Sequence, residues 1–144
     1  MFAEYLIIGQ RTCKIDSKGR FFLPKFSHVE EGDNLVLLQN YKTNIYELHA
    51  LSKIQDRIDK LKDNMCSASN SEQLELLRKE YELLCLSCLA NLNVDGQHRV
   101  HIPMEIYIKS GFDKSTVALG VGDHLNLFTD DAQVIEYKKS LLKK

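Results

Sequence analysis

The pattern of apolar and polar positions divides the chain into two β-rich ends and a helical middle. Short runs of β-branched and aromatic residues between turn residues predict strands, whereas apolar residues at three- and four-residue steps predict helices. In the first half, strands are predicted at residues 4–8, 12–15, 20–23, 35–38 and 44–49. After the helices a hairpin follows, with further strands at 116–119 and 125–128. Strands and helices in separate segments are typical of the α+β class.

Two long helices are predicted in the middle of the chain. Ser52 and Gln55 match a capping box, and apolar residues then recur at helical spacing at Ile54, Ile58 and Leu61. The second helix is predicted from about residue 72 to residue 88. It carries an apolar stripe suited to packing on a neighbour, made of Leu74, Leu77, Tyr81, Leu84 and Cys88.

Two shorter helices are predicted in the second half. One runs from Pro103 to Ser110 and ends at Gly111, because glycine tolerates the left-handed conformation that closes a helix. The last helix begins after Thr129 or Asp130, either of which can cap it.

One twelve-residue phrase occurs twice. Residues 13–24 read CKIDSKGRFFLP, and residues 92–103 read LNVDGQHRVHIP. An aspartate carboxylate can accept hydrogen bonds from the backbone two residues on, so Asp16 and Asp95 are predicted to shape hairpin turns. Gly19 supplies a position for positive φ, and the arginine four residues after each aspartate can pair with it. The proline at the end of each phrase ends the strand.

The repeated phrase carries a family resemblance. The sequence D-S-K-G-R before an apolar strand and proline, its second copy after a helical insert, and the opening Met1-Phe2 resemble the MraZ family. That family lies within the AbrB-like swapped-hairpin superfamily of bacterial transcription regulators. The resemblance runs from Met1 to about Lys139. Residues 117–128 are similar to the family pattern V-x-L-x-G-x-x-x-x-x-E-(L/I)-(W/F), as are residues 35–48. His98 stands where the family usually has Gly, and Leu127 where it usually has Glu.

The resemblance implies an architecture and a function. Two tandem swapped-hairpin units, residues 1–51 and 89–144, would interlock into one pseudo-symmetric barrel, with a helical insert at 52–88 and a C-terminal helix. A small unit cannot bury its apolar face alone, which favours one compact domain. The resemblance also implies ring-like homo-oligomers that bind repeated promoter elements in double-stranded DNA, at a cell-division and cell-wall gene cluster.

Charge distribution favours the first repeat as the part that contacts DNA. The formal net charge is -1, but residues 11–25 contain one acid, Asp16, and five bases. The five are the candidate DNA-binding residues Arg11, Lys14, Lys18, Arg20 and Lys25. Residues 91–104 offer Arg99, the equivalent of Arg20, against Asp95, with two histidines. Alternatively, each arginine only clamps the aspartate of its own hairpin.

Four cysteines without a secretory signal predict free thiols in a reducing cytoplasm. The apolar run at residues 5–8 is preceded by no base and is cut short by Gln10 and Arg11, so it is interpreted as a strand rather than a signal peptide or membrane span. We therefore expect a cytoplasmic, nucleoid-associated protein with no membrane partner.

Metal binding is the main alternative to DNA binding that the residues suggest. Cys85-x-x-Cys88 and His98-x-x-His101 offer two thiols and two imidazoles, but nine residues separate the pairs and two separate the histidines. In zinc fingers with two cysteines and two histidines, about twelve residues separate the cysteine pair from the histidine pair, and about three to five separate the two histidines. The cysteines are interpreted instead as packing residues of a leucine-rich helix. No metal or cofactor is expected.

No enzymatic motif is present. The chain lacks G-x-S-x-G, a P-loop, H-E-x-x-H and paired carboxylates, and His28, His49 and His124 form no recognisable constellation in the sequence. The remaining alternative is an oligomeric scaffold of the same fold without DNA binding. The net negative charge, the weaker second phrase and an acidic helix favour it, the acids being Glu72, Glu75, Glu80 and Glu82.

Overall fold

A computed structural model describes Phe2 and residues 4–143 and confirms the α+β class; Met1, Ala3 and Lys144 lie outside the described residues. The first repeat contains strands β1 (Ile7–Lys14), β2 (Arg20–Phe22), β3 (Asn34–Gln39) and β4 (Tyr46–Ala50). Helices α1 (Leu51–Cys66) and α2 (Ser71–Ser87) follow. The second repeat contains β5 (Cys88–Asn93), β6 (Arg99–His101), α3 (Met104–Ser110), β7 (Ser115–Gly122), β8 (His124–Phe128) and α4 (Asp131–Leu142).

The strands of the two repeats are exchanged. A six-stranded antiparallel sheet has the order β1-β7-β8-β4-β3-β5, and β2 pairs with β6 in a separate two-stranded ribbon. The first strand of each repeat therefore pairs with the third strand of the other, and β4 pairs with β8 at the centre. Swapping the repeats leaves the strand order unchanged, so the sheet has a pseudo-twofold axis. As described, the sheet is open, with β1 and β5 at its edges.

The ribbon of β2 and β6 covers one face of the sheet. Phe21 and Val100 are paired across the ribbon and are 0% and 1% exposed. They belong to one apolar cluster with sheet residues that include Ile7, Leu35 and Leu125. Because neither part alone can bury these side chains, ribbon and sheet form a single core.

The helices cover parts of the opposite face. Val36 and Leu38 of β3 pack against Ile54 of α1, and Val117 and Phe128 of the second hairpin pack against α4. The predicted stripes on α1 and α2 are the less exposed faces of these helices. Within the described part of the chain, no helix combines the length and hydropathy needed to cross a membrane.

The helix ends correct one prediction and confirm two. Helix α1 begins at Leu51, two residues earlier than an N-cap at Ser52 would place it, and the actual N-cap, Ala50, forms no side-chain hydrogen bond, so the predicted capping box is wrong. Asp130 caps α4 by accepting from the Gln133 N–H, as predicted. Gly111 ends α3 at φ 77, also as predicted.

The first two predicted strands are one continuous strand. β1 pairs with β7 along its whole length, from Ile7 opposite Gly122 to Lys14 opposite Ser115. The polar residues that divide the sequence pattern, Gln10 and Arg11, lie within this strand and remain exposed. A side chain on an edge strand has a neighbouring strand on one side only, so polar residues there can remain in contact with solvent.

The central register also revises the alignment of the two repeats. Glu47 of β4 lies opposite Asn126 of β8, and these two residues are as far apart in the sequence as the two copies of the repeated phrase. Asn126, rather than Leu127, therefore stands at the second-repeat position that corresponds to Glu47.

Mutations in β2 can test which face of the ribbon packs against the sheet. We expect Phe21→Ala to lower the free energy of unfolding by about 3–5 kcal/mol, because it leaves a cavity in the shared core. The neighbouring Phe22, which faces away and lies 5.6 Å from the Arg99 guanidinium, is the matched control. Phe22→Ala should cost roughly 1 kcal/mol or less. Urea denaturation measures both, and equal losses would contradict the packing described.

Candidate nucleic-acid interface

The first hairpin turn is organised by one carboxylate. Asp16 Oδ1 accepts hydrogen bonds from the N–H groups of Lys18 and Arg20, at 3.0 and 2.9 Å. Asp16 Oδ2 accepts from the Arg20 Nε at 2.6 Å. Because this carboxylate at the start of the turn binds the backbone within the turn and at its far end, it holds the shape of the loop that carries Lys18 outward.

The second turn has the same geometry. Asp95 Oδ1 accepts from the N–H groups of Gln97 and Arg99, and Asp95 Oδ2 accepts from the Arg99 Nε at 2.8 Å. Both arginines thus pair with their own aspartate, which is the structural alternative raised by the sequence. A bond through Nε leaves the terminal guanidinium nitrogens of each arginine available for a further contact.

Both turns need a left-handed residue three positions after the aspartate. Gly19 has φ 81, and His98, at the corresponding place, has φ 58. A Cβ on Gly19 would lie 3.0 Å from the carbonyl oxygen of Ile102, so this turn also needs the small residue for space. The second turn keeps its conformation with a histidine, in a region that disfavours side chains.

Each turn is tied to the other repeat through the backbone. The Gly19 carbonyl accepts from the Ile102 N–H at 2.9 Å, and the His98 carbonyl accepts from the Leu23 N–H at 3.0 Å. These reciprocal bonds place the two turns at opposite ends of the ribbon.

Three of the five candidate DNA-binding residues flank the first turn. Lys14 and Lys18 are exposed, and the Arg20 side chain is 35% exposed. Arg11 is on the opposite face of β1 from Lys14, because the two differ by an odd number of positions. Lys25 follows the end of β2 that lies near the second turn. Arg11 and Lys25 are therefore separated from the other three.

The structure adds a lysine that the sequence analysis missed. The Ile15 N–H donates to the Lys114 carbonyl at 2.8 Å, which brings an exposed lysine of the second repeat beside the first turn. The corresponding bond at the second turn runs from the Val94 N–H to Asp33. Lys114 and Asp33 correspond only because they make equivalent hydrogen bonds in the folded chain. No local sequence signal could therefore have identified Lys114.

Corresponding positions around the two turns differ strongly in charge. The first turn has Lys14, Lys18 and Lys114, which sum to +3, where the second has Asn93, Gln97 and Asp33, which sum to −1. Glu31 adds a further acid, since its carboxylate lies 3.3 Å from where a Cβ on Gly96 would be. The first turn is therefore the one suited to bind phosphate.

The turn contacts lower the pKa of both aspartates. For Asp16 the main cause is the hydrogen bond from the Arg20 N–H. Desolvation opposes ionisation of Asp95, but the N–H groups of Arg99 and Gln97 outweigh it and lower the pKa of that carboxyl. Both carboxylates stay charged and continue to hold their arginines at neutral pH.

The cysteines and histidines weighed for zinc are not brought together. Cys85 lies exposed on α2 and Cys88 begins β5, whereas His98 and His101 lie on the second hairpin. Among the described residues, the groups of side chains close enough to share an ion do not include these four. The interpretation of Cys85 as a packing residue is wrong, because its side chain faces outward.

A different polar cluster was missed by the sequence analysis. Glu47, His49 and His124 come together on the central strands, and the two imidazole rings stack with centroids 4.2 Å apart. Burial lowers the pKa of His49, which favours its neutral form. The alternation of Glu47 and His49 was a local signal, but their pairing with His124 depends on the register of β4 and β8.

Comparisons with known proteins point in one direction. A scan against models of known protein families finds no match. The chain is similar to the transcriptional regulator MraZ of Bifidobacterium longum, with 28% identity over 128 residues, which cover 88% of this chain and 79% of the relative. It is 26% identical over 127 residues to the MraZ protein of Stenotrophomonas maltophilia, covering 86% and 82%. For that of Paenarthrobacter aurescens, identity is 25% over 127 residues, covering 88% and 83%.

The first turn generates a pH-dependent test. Because the pKa of Asp16 is lower in the folded state, its carboxylate stabilises the fold above the unfolded pKa of about 3.9, and this stability is lost as the pH falls through the folded value. We expect the difference in unfolding free energy between the wild type and Asp16→Asn to be constant near neutral pH and to shrink in acid. Urea denaturation across the pH range measures it. A difference that grows in acid would contradict the carboxylate's role.

Proposed function

We propose that this chain, which is related to the MraZ family over most of its length, is a DNA-binding regulator of transcription rather than an enzyme. The observation that carries the proposal is the charge difference between two turns of the same backbone geometry. A structural role common to both turns would require the aspartate and arginine, which both have. It would not require lysines at one turn alone.

The proposed interface assigns a role to each residue. Lys14, Lys18 and Lys114 would contact phosphate, and they would be held in position by the backbone that Asp16 organises. Arg20 would keep its Nε on Asp16 and offer its terminal nitrogens to phosphate or a base edge. Arg11 and Lys25 would add longer-range attraction, which decreases as salt screens it.

Exchanging side chains between the two turns tests the proposal. We expect Lys14→Asn with Lys18→Gln, which gives the first turn the residues of the second, to weaken DNA binding. The slope of log affinity against log salt is negative, and its magnitude should decrease by about 2, since each phosphate contact contributes about 0.9. Fluorescence anisotropy with duplex DNA over a range of salt concentrations measures both quantities. These lysines make a sharper test than Arg20→Ala, which would also remove the partner of Asp16.

The matched control is Lys53→Gln with Lys60→Gln, which removes two exposed lysines from α1. It should leave the salt slope unchanged. If both double variants weaken binding equally, DNA is attracted by general charge rather than by the turn. If neither binds less well than the wild type, the proposed interface is wrong.

We further propose that the ribbon closes the open sheet into a swapped-hairpin barrel and that barrels assemble into rings. The common core of ribbon and sheet supports closure. The outer surfaces of β1 and β5 support assembly, because a head-to-tail contact between two different surfaces forms a ring when its rotation closes. Exposed apolar side chains lie on or beside these two strands, at Leu6, Ile8 and Leu89.

The proposed target is a row of short promoter repeats, which the family resemblance associates with a cell-division and cell-wall gene cluster. Action on such a promoter requires the cytoplasm and the nucleoid as the site of function.

Assembly generates its own prediction. One turn with three or four charges should bind DNA with a dissociation constant of only ~10⁻⁴ to 10⁻⁶ M at physiological salt. Several turns on one face of a ring could gain roughly 10² to 10⁴ in avidity. We therefore expect affinity to rise steeply from one to two to four repeats, in protein that sedimentation shows to be oligomeric. A monomer with equal affinity for one repeat and four would contradict the ring.

The scaffold alternative rests on the exposed surface of α2. Its acids Glu72, Glu75, Glu80 and Glu82 are exposed, as are Leu76 and Leu86. A surface with both features could dock a partner while repelling DNA. Oligomeric protein that binds no DNA in the repeat experiment would favour this function.

A further inference from the structure

The cluster of Glu47, His49 and His124 is built at the seam between the two repeats. The register pairs His49 with His124 and Glu47 with Asn126 across β4 and β8. Directly paired side chains of antiparallel strands lie on the same face, and residues two apart on one strand share that face. Four polar side chains therefore converge on the sheet face that α1 and α4 partly cover.

The three ligand-type atoms are close enough to share an ion. Glu47 Oε1 lies 2.7 Å from His49 Nε2 and 3.7 Å from His124 Nε2. All three lie within 4.8 Å of one another. In a tetrahedral zinc site with bonds of about 2.0–2.2 Å, ligand atoms are separated by about 3.3–3.6 Å. The observed separations bracket this range. The two imidazole rings are stacked within 15° of parallel, so at least one ring must turn about its side-chain bonds to direct its nitrogen lone pair at the shared ion.

Neighbouring groups already orient these atoms. His124 Nδ1 lies 2.7 Å from Asp123 Oδ1, so the aspartate fixes the imidazole that presents Nε2 to Glu47. The Asn40 Nδ2 group donates to Glu47 Oε2 at 3.1 Å, which leaves Oε1 facing the histidines. A carboxylate behind a histidine and a hydrogen bond on a ligating carboxylate are the supporting contacts that metal sites use.

An independent observation points to a missing partner at the same place. Asn126 is 3% exposed, and its Oδ1 is buried without a hydrogen-bond donor among the described residues. It lies opposite Glu47 in the register and lines the same cleft as both histidines. Buried amide oxygens nearly always have a partner, so this atom indicates that a water molecule or an ion belongs beside it.

The cleft gives an ion access and a suitable charge. Its volume is about 510 Å³, and three carboxylates line it against two cationic side chains. The carboxylates are those of Glu47, Glu80 and Asp123, and the cations are Arg57 and Lys42. Three protein ligands leave a fourth position open toward the cleft, where water or a small ligand could bind.

We propose that Glu47, His49 and His124 form a binding site for a divalent transition-metal ion, with zinc as the ion that fits best. Two imidazole nitrogens and one carboxylate oxygen suit zinc, whereas calcium and magnesium prefer ligand sets made of oxygen. The first repeat supplies two ligands and the second repeat supplies one, so the ion joins the repeats across the centre of the sheet. The site is separate from the turns, and its test does not depend on DNA binding.

The test uses the full chain after dialysis against a chelator. Exposed thiols could bind zinc themselves, so the titration is run on the wild type and on Cys66→Ser with Cys85→Ser. We expect calorimetry with zinc chloride to give one ion per chain in both proteins, together with a higher unfolding temperature. Cobalt should give d–d absorption without sulfur-to-metal charge transfer. Binding that disappears with the two thiols would overturn the proposal.

Two variants distinguish a metal site from a hydrogen-bonded histidine pair. His124→Gln should lower zinc affinity at least about 100-fold, and Asp123→Asn, which leaves all three ligands in place, about 10–100-fold. His101→Gln, which removes an exposed histidine on the ribbon, is the matched control and should bind normally. Circular dichroism checks that each variant folds. If His124→Gln does not fold, the zinc affinity of Asp123→Asn alone provides the test. Unchanged affinity in a folded variant, or no saturable site in the wild type, would overturn the proposal.

Discussion

The structure depends on the exchange of backbone hydrogen bonds between its two repeats. The first strand of each repeat completes the sheet of the other, and each turn carbonyl, at Gly19 and His98, accepts a bond from the opposite repeat. Neither repeat can satisfy these groups or bury Phe21 and Val100 by itself. Because an unpaired buried backbone group is costly, the two repeats must fold together, and this requirement places the turns at opposite ends of one ribbon.

The shared backbone allows the two copies to diverge in chemistry. Asp16 and Asp95 hold the same turn, so the side chains around it can change without loss of shape. The first turn has exposed lysines, and the second has Glu31 beside it. A pseudo-symmetric fold thus presents one cationic end. If copies assemble in a ring, each copy contributes one cationic end. Such an arrangement would match a row of repeated DNA sites.

Local signals account for most of the secondary structure and for both turns. An aspartate, a left-handed position and an arginine act within five residues, so the repeated phrase predicts its own conformation. Helix α4 and the glycine after α3 were predictable for the same reason. The capping box at Ser52 failed because the chain enters α1 directly from β4, where pairing with β3 and β8 determines the backbone.

The sequence by itself determined the class of fold, the duplication and the turn that carries the larger positive charge, because each depends on residues close together in the chain. Tertiary structure alone decided that Lys114 lies at the first turn and that His124 lies opposite His49. Both contacts join residues about 75 to 100 positions apart, through strands exchanged between repeats. No local pattern encodes such a register, since it follows from the burial of one shared core and the pairing of every backbone group around it.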